Sequence, residues 1–373
     1  MKILHISDVG LPEARLERSA IYAKQKGWEV VFAGGKPVER QIFNAFEKIY
    51  YRPWKAYEKT GLPGTLQNTR RWLRRVLHEE KPDLIHAHDL FAGKLALDMG
   101  YPFVYDDHEI WASRIALDET HALKRDRTLL RRLGTKVAVR SWRKWEPEIL
   151  RAAPVLVVSE EIADFYRNVQ SQCFVIPNVP TTKEVEMIPA NINIDDEFRI
   201  GIVAREKVSL NQRRDRVALQ VWLENRFGAS LVFIGPPVIN TEEVKNYGLV
   251  SHQEMLRILS TCDAALLGQW TQLPLFSFQI RFSLVLHAGL KVIQPFNRVT
   301  QVKFCDRHNA GWSWKSSDQL KNLLKELTRE YFADVDHWNR EKQRIRKVAQ
   351  HYLIWSDYAD QLEKAYEAAL SNK

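Results

Sequence analysis

The sequence predicts an α/β protein of two doubly wound domains, each built on a parallel sheet, and three observations predict it. The chain has 373 residues, more than one ordinary core accommodates. Short apolar runs alternate with helix-length amphipathic stretches twice along its length, the pattern of repeated strand–helix–strand units. A polar, irregular stretch at 181–197, with Pro189 and several Asn and Asp, separates the two series.

The opening run 2–7 is apolar and reads as a strand, and a Gly and Pro loop (Gly10, Pro12) leads to a helix over 13–26 that Gly27 ends. A second strand covers 28–33 before Gly34 and Gly35. After the arginine-rich helix around 70–75, strands follow at 82–87 and 102–105 with a helix over 91–99 between them. Strands at 154–159 and 173–176 flank a helix at 160–168. In the second series the strands are 198–203, 230–234, 246–249, 264–267 and 290–294. The predicted domains are 1–183 and 184–350, with a closing helix in 351–373.

Composition narrows the class. With 45% hydrophobic and 27% charged residues the chain reads as a soluble globular protein. No segment approaches the roughly 18 uninterrupted apolar residues of a membrane span. The N-terminal apolar stretch is broken by His5 and Asp8, which fits a strand better than a signal peptide. Cys173, Cys262 and Cys305 are too few and too scattered for a disulfide framework or a thiolate metal site, so a cytoplasmic location is expected. The net charge of +9 favours anionic partners. Much of it sits in 70–75 and 124–145, two basic amphipathic stretches that fit either a solvated face or an anionic membrane surface. No nucleic-acid module is present, which argues against a nucleic-acid partner.

Polar residues then stand out where strands end. Asp83-Leu-Ile-His-Ala-His-Asp89 finishes one strand, and Val104-Tyr-Asp-Asp-His-Glu109 finishes the next. Ligands of parallel sheets bind at such carboxyl edges. By residue type alone these histidines and acids suit either a divalent metal or polar strand caps.

Order and context add more. The two segments resemble the His-x-His and Tyr-Asp-x-His-Glu motifs of family 4 glycosyltransferases. The resemblance continues through Val157-Val-Ser159, Val175-Ile-Pro-Asn178, Val232-Phe-Ile-Gly235, Gly248 to Glu254 and Cys262-Asp263-Ala-Ala265, and ends in a closing helix after Trp355. It implies the GT-B fold, two facing Rossmann-like domains with the last helix crossing back to the first. It implies sugar transfer from a nucleotide-sugar donor to a glycan or lipid-linked acceptor, with retention, without a metal or cofactor, in cell-surface polysaccharide or glycolipid synthesis. His108 takes the place of the active-site histidine. Gly10, His88, Asp89 and Asp107 fall on the acceptor side, with His86 beside them, and Arg205, Lys207, Arg281 and Gly235 on the donor side. Arg213 and Arg214 compete with Lys207 for the second basic position.

One departure stands against the pattern. The family carries two glutamates eight positions apart, the second holding the nucleotide ribose, and alignment on Gly289 puts Phe276 and Leu284 there. Neither side chain accepts a hydrogen bond. A different donor, a ribose held by other groups, or a fold kept for binding without turnover each accommodate this. Sugar transfer to nucleic acid and sugar-nucleotide epimerisation are the other readings the fold permits.

Overall fold

The computed structural model describes residues 1–371 except 12, 39–40, 56–57, 59–63, 109–128, 190–196, 204–218, 220–221, 224–227, 236–244 and 269–274; for 129–135 it describes the backbone alone. The chain divides into two compact units, Met1–Pro177 with Tyr358–Lys373, and Asn178–Asp357.

The first unit runs β1 (Lys2–Ser7), α1 (Ala14–Gln25), β2 (Glu29–Gly34), β3 (Lys48–Tyr51), α2 (Gln67–Glu80), β4 (Leu84–His88), α3 (Asp89–Met99), β5 (Phe103–Asp107), α4 (Leu129–Ala152), β6 (Val155–Val157), α5 (Glu160–Tyr166) and β7 (Cys173–Val175). Its strands lie in the order β3-β2-β1-β4-β5-β6-β7, and every pair is parallel. The order steps outward from β1 in both directions. Right-handed crossovers therefore set α1 on one face of the sheet and α2, α3, α4 and α5 on the other. β4 and β5 are buried along their whole length, so every polar side chain they carry needs a partner inside the protein.

The second unit contains α6 (Thr182–Glu186), β8 (Phe198–Val203), β9 (Ala229–Ile234), β10 (Lys245–Asn246), α7 (His252–Ser260), β11 (Ala264–Leu266), α8 (Ile280–His287), β12 (Lys291–Pro295), α9 (Val299–His308), β13 (Gly311–Trp314), α10 (Ser317–Ala333) and α11 (Val335–Tyr352). Its parallel sheet is ordered β10-β9-β8-β11-β12-β13. Phe198, Ile200, Phe233, Tyr331 and Trp338 fill its core. Gly289, at φ +83, turns α8 into β12, where a Cβ would lie 2.7 Å from the Lys342 carbonyl oxygen. A 3₁₀ turn at Trp355–Tyr358 precedes α12 (Ala359–Ser371), which packs under β4, β5, β6 and β7 of the first unit.

The two parallel sheets agree with the predicted fold class, and local chemistry accounts for the differences. Helix α6 forms inside the stretch predicted to be irregular because Thr181 and Glu184 build a reciprocal capping box. The strand predicted over 154–159 stops at Val157 because Ser159 turns to cap α5 through the Ile162 N–H. The one predicted at 246–249 shrinks to Lys245–Asn246, since Gly248 adopts φ +69. The edge strands β3 and β13 were not foreseen.

Candidate active site

The carboxyl edge of the first sheet is built by register. His5 lies opposite His86, Ser7 opposite His88, and His88 opposite Asp106. Side chains alternate between faces along a strand. Asp106 therefore projects with the histidines toward α1 and α12, and Asp107 projects to the other side, toward α4 and α5.

Asp106 is the hub. Arg15, from the first turn of α1, grips its Oδ1 with Nε at 3.0 Å and Nη2 at 2.7 Å, and reaches the Ile176 carbonyl oxygen with Nη1 at 2.6 Å. His86 Nε2 and His88 Nδ1 each lie 3.3 Å from Asp106 Oδ2, and His108 Nε2 lies 3.5 Å from the same oxygen. Tyr366 of α12 meets His86 Nδ1 at 2.9 Å, and His5 Nδ1 meets His88 Nε2 at 3.1 Å. The contacts fix the tautomers in part: His86 donates from Nε2 to Asp106 and accepts from Tyr366, and His5 Nδ1 and His88 Nε2 share one proton, while His88 Nδ1 stays outside hydrogen-bonding geometry to Asp106.

Charge follows from the geometry. Burial pushes Asp106 up, but Arg15 and His108 outweigh it and hold the carboxyl well below the usual carboxylate range. Burial keeps His5 and His86 neutral and takes His88 down to about 3. At His108 burial opposes the charge too, yet Asp89 and Asp106 prevail and raise it to about 10. Asp89 Oδ2 stands 3.7 Å from His108 Nδ1. The residue adopts φ +66, a conformation that costs an L side chain about 1–2 kcal/mol, to turn β4 directly into α3 with its carboxylate aimed at the imidazole. His108 and Asp89 keep 19% and 16% of their side-chain surface open, so ligand can reach them.

Two predicted acceptor contacts are corrected by burial. His88 is 1% exposed, and its two nitrogens face His5 and Asp106, so it supports the site from inside. Asp107 is fully buried on the opposite face, accepting a hydrogen bond from Tyr105 at 3.1 Å and lying, with Glu146, against the Tyr166 hydroxyl, whose single proton the two carboxyl groups share. Burial and the Glu146 carboxylate push Asp107 well above the carboxylate range. Asp106 and Arg15, neither of them predicted, take the central places instead. Gly10 is where the loop after β1 passes under Pro37, and a Cβ there would sit 2.3 Å from the Pro37 carbonyl oxygen.

His5, His86 and His88, and likewise His88, Asp106 and His108, bring possible ligand atoms within 4.8 Å of one another. The rings of His86 and His88 stack at 4.2 Å with planes 18° apart, and those of His5 and His88 are also 18° apart. Lone pairs in near-parallel planes run alongside one another instead of meeting at one point. The His5–His86–His88 group therefore fits a hydrogen-bonded stack better than a chelate.

Among the described residues of the second unit, the carboxyl edge carries two guanidinium groups. Arg281, in the first turn of α8, donates to the Val203 carbonyl oxygen at 2.8 Å where β8 ends. Arg298, 8% exposed, leads into α9, and its Nε lies where a Cβ on Gly268 would come within 3.0 Å. Gly235 closes β9, its N–H donating to the Gly248 carbonyl oxygen at 2.9 Å. Leu284 is 2% exposed on the core side of α8, and the Phe276 carbonyl oxygen accepts from Thr300 Oγ1 at 2.9 Å. Arg205, Lys207, Arg213 and Arg214 lie outside the described residues.

The sequence model described as Glycosyltransferase Family 4 matches residues 13–181. Among solved structures, the chain is similar to a sucrose-phosphate synthase from Thermosynechococcus elongatus, at 15% identity and TM-score 0.69 over 100% of both chains. It is similar to Anabaena HepE in complex with UDP-glucose, at 13% identity and TM-score 0.66 over 98% of this chain and 99% of that one. It is also similar to WaaG, a glycosyltransferase involved in lipopolysaccharide biosynthesis, at 14% identity and TM-score 0.63 over 98% of each. No curated protein sequence matches significantly. At these identities the likenesses establish the fold, which is that of the GT-B glycosyltransferases. Together with the family match over the first unit, they indicate a transferase.

Proposed function

We propose that the protein is a glycosyltransferase that moves a sugar from a nucleotide-diphosphate donor to a glycan or lipid-linked acceptor, with retention and without a metal, in polysaccharide or glycolipid synthesis at the cytoplasmic side of a membrane. The observation that carries the proposal is the His108 cluster at the carboxyl edge of β4 and β5, inside the segment matched by the family 4 model. The likeness to HepE, solved with UDP-glucose, supports a nucleotide-sugar donor.

The chemistry assigns roles. A sugar leaving its nucleotide leaves negative charge on the diphosphate, and fixed guanidinium groups stabilise that departure. Arg281 and Arg298 supply such groups at the edge of the second sheet, and Arg205 and Lys207 have the charge for the same role. His108, held as an imidazolium with Nε2 buried against Asp106, presents only its Nδ1–H, beside Asp89, to a sugar oxygen and is not a base. Asp106 fixes its charge and place, and Asp89 does the same from the solvent side while accepting from the acceptor. The ribose, with no carboxylate at Phe276 or Leu284, is held by other groups of the second unit.

Thermal unfolding in a panel of nucleoside diphosphates and their sugar conjugates tests the donor. Selective stabilisation is expected, by roughly 3 kcal/mol at a hundredfold excess over Kd. A melting temperature unmoved by every member would count against the reading and favour a protein that keeps the fold for binding alone.

A further inference from the structure

We propose that the outward face of the α2–α3–α4 layer is a docking surface for an anionic lipid bilayer. The two basic stretches are distant in sequence, yet both helices lie on the same side of the first sheet, with α3 packed between them. Ion pairs tie the layer together and occupy its acids. Arg70 of α2 holds Asp98 of α3, and Lys94 of α3 reaches Asp98 at 3.1 Å and Glu148 of α4 at 3.2 Å. Glu79 and Glu80, at the end of α2, are engaged by Tyr50.

What remains on the outside is cationic. Arg71, Arg74 and Arg75 of α2 and Lys136 and Arg140 of α4 are exposed, and among the described residues none of the five is paired with a carboxylate. Arg143 and Lys144 add to the exposed row on α4. Apolar groups are interleaved with them: Trp72 and Trp142 are half-buried, and Val137 keeps 39% of its surface open. Long basic side chains that spread their stems over apolar ground, with indoles among them, suit the headgroup region of a bilayer. A nucleic acid would use the charge and leave Val137 and the indole edges facing water. The surface shares with the proposed function only a membrane-side acceptor, and its test needs no sugar transfer.

The full chain is sedimented with phosphatidylcholine vesicles containing about 30% phosphatidylglycerol, in parallel with pure phosphatidylcholine vesicles, at about 0.05 M and about 0.5 M salt. Binding to the anionic vesicles is expected at low salt, with release at high salt. Arg71→Gln/Arg74→Gln/Arg75→Gln and Lys136→Gln/Arg140→Gln are each expected to weaken it about tenfold while leaving the melting temperature unchanged. Absence of vesicle binding by the wild type would overturn the proposal, as would variants that bind as well as the wild type. Binding to single-stranded RNA at the same salt, without binding to vesicles, would also overturn it and give the face to nucleic acid.

Discussion

Asp89→Asn removes one negative charge 3.7 Å from His108 Nδ1 and changes little else. Asparagine has nearly the same shape and tolerates the left-handed backbone that Asp89 adopts. At an effective dielectric constant of about 20, a unit pair at this distance is worth roughly 4 kcal/mol, or about three pH units. His108 should thus titrate near about 10 in the wild type and fall toward about 7 in the variant. Stability moves with it. Because the folded value lies above the unfolded one of about 6.5, the imidazolium contributes its full stabilisation below about pH 6.5, and this is lost as pH rises through about 10. Retaining the proton to about pH 10 corresponds to a ceiling of about 5 kcal/mol, of which Asp89→Asn should remove most. Histidine Cε1 resonances followed from pH 5 to 11 in both proteins, assigned with His108→Gln, provide the measurement. A wild-type His108 midpoint of about 6.5, or a midpoint that Asp89→Asn leaves in place, would show that Asp89 does not hold the proton on His108.

Two further outcomes follow from the same contacts. Arg15→Met takes from buried Asp106 its guanidinium and leaves it His108 alone, and should cost about 3–5 kcal/mol in urea unfolding, whereas Arg15→Met/Asp106→Leu should recover part of that loss. Gly10→Ala places a Cβ against the Pro37 carbonyl oxygen, a backbone contact that cannot swing away, and should cost about 1–3 kcal/mol in thermal unfolding; an unchanged melting temperature would show that the loop is not held there.

Much of the fold was legible because parallel strands buried on both faces are continuous apolar runs. β1, β4 and β8 lie within a residue or two of the runs that predicted them. β3, with the sequence KIYY, and β13, GWSW, sit at sheet edges, the first mostly exposed and the second half-buried, and their short mixed sequences carry no such run. At the site, His108 and Asp89 were legible from their place at strand ends. Asp106 and Asp107 were not distinguished, although strand alternation separates them: Asp106 shares a parity with His108, and Asp107 does not. Arg15 also left a signal. A cation in the first turn of a helix opposes the macrodipole, and a buried one needs a specific partner. That the partner is Asp106, 91 residues away, depends on the order of β1, β4 and β5 and on α1 crossing over them.

The central claim is that the His108 cluster serves sugar transfer. Its most direct test is release of nucleoside diphosphate, with formation of glycosylated product, from the donor that stabilises the wild-type protein, measured for the wild type and for His108→Ala. The wild type is expected to turn over, and His108→Ala to lose about a hundredfold or more in rate with donor binding nearly intact. Turnover by His108→Ala at the wild-type rate would contradict the claim.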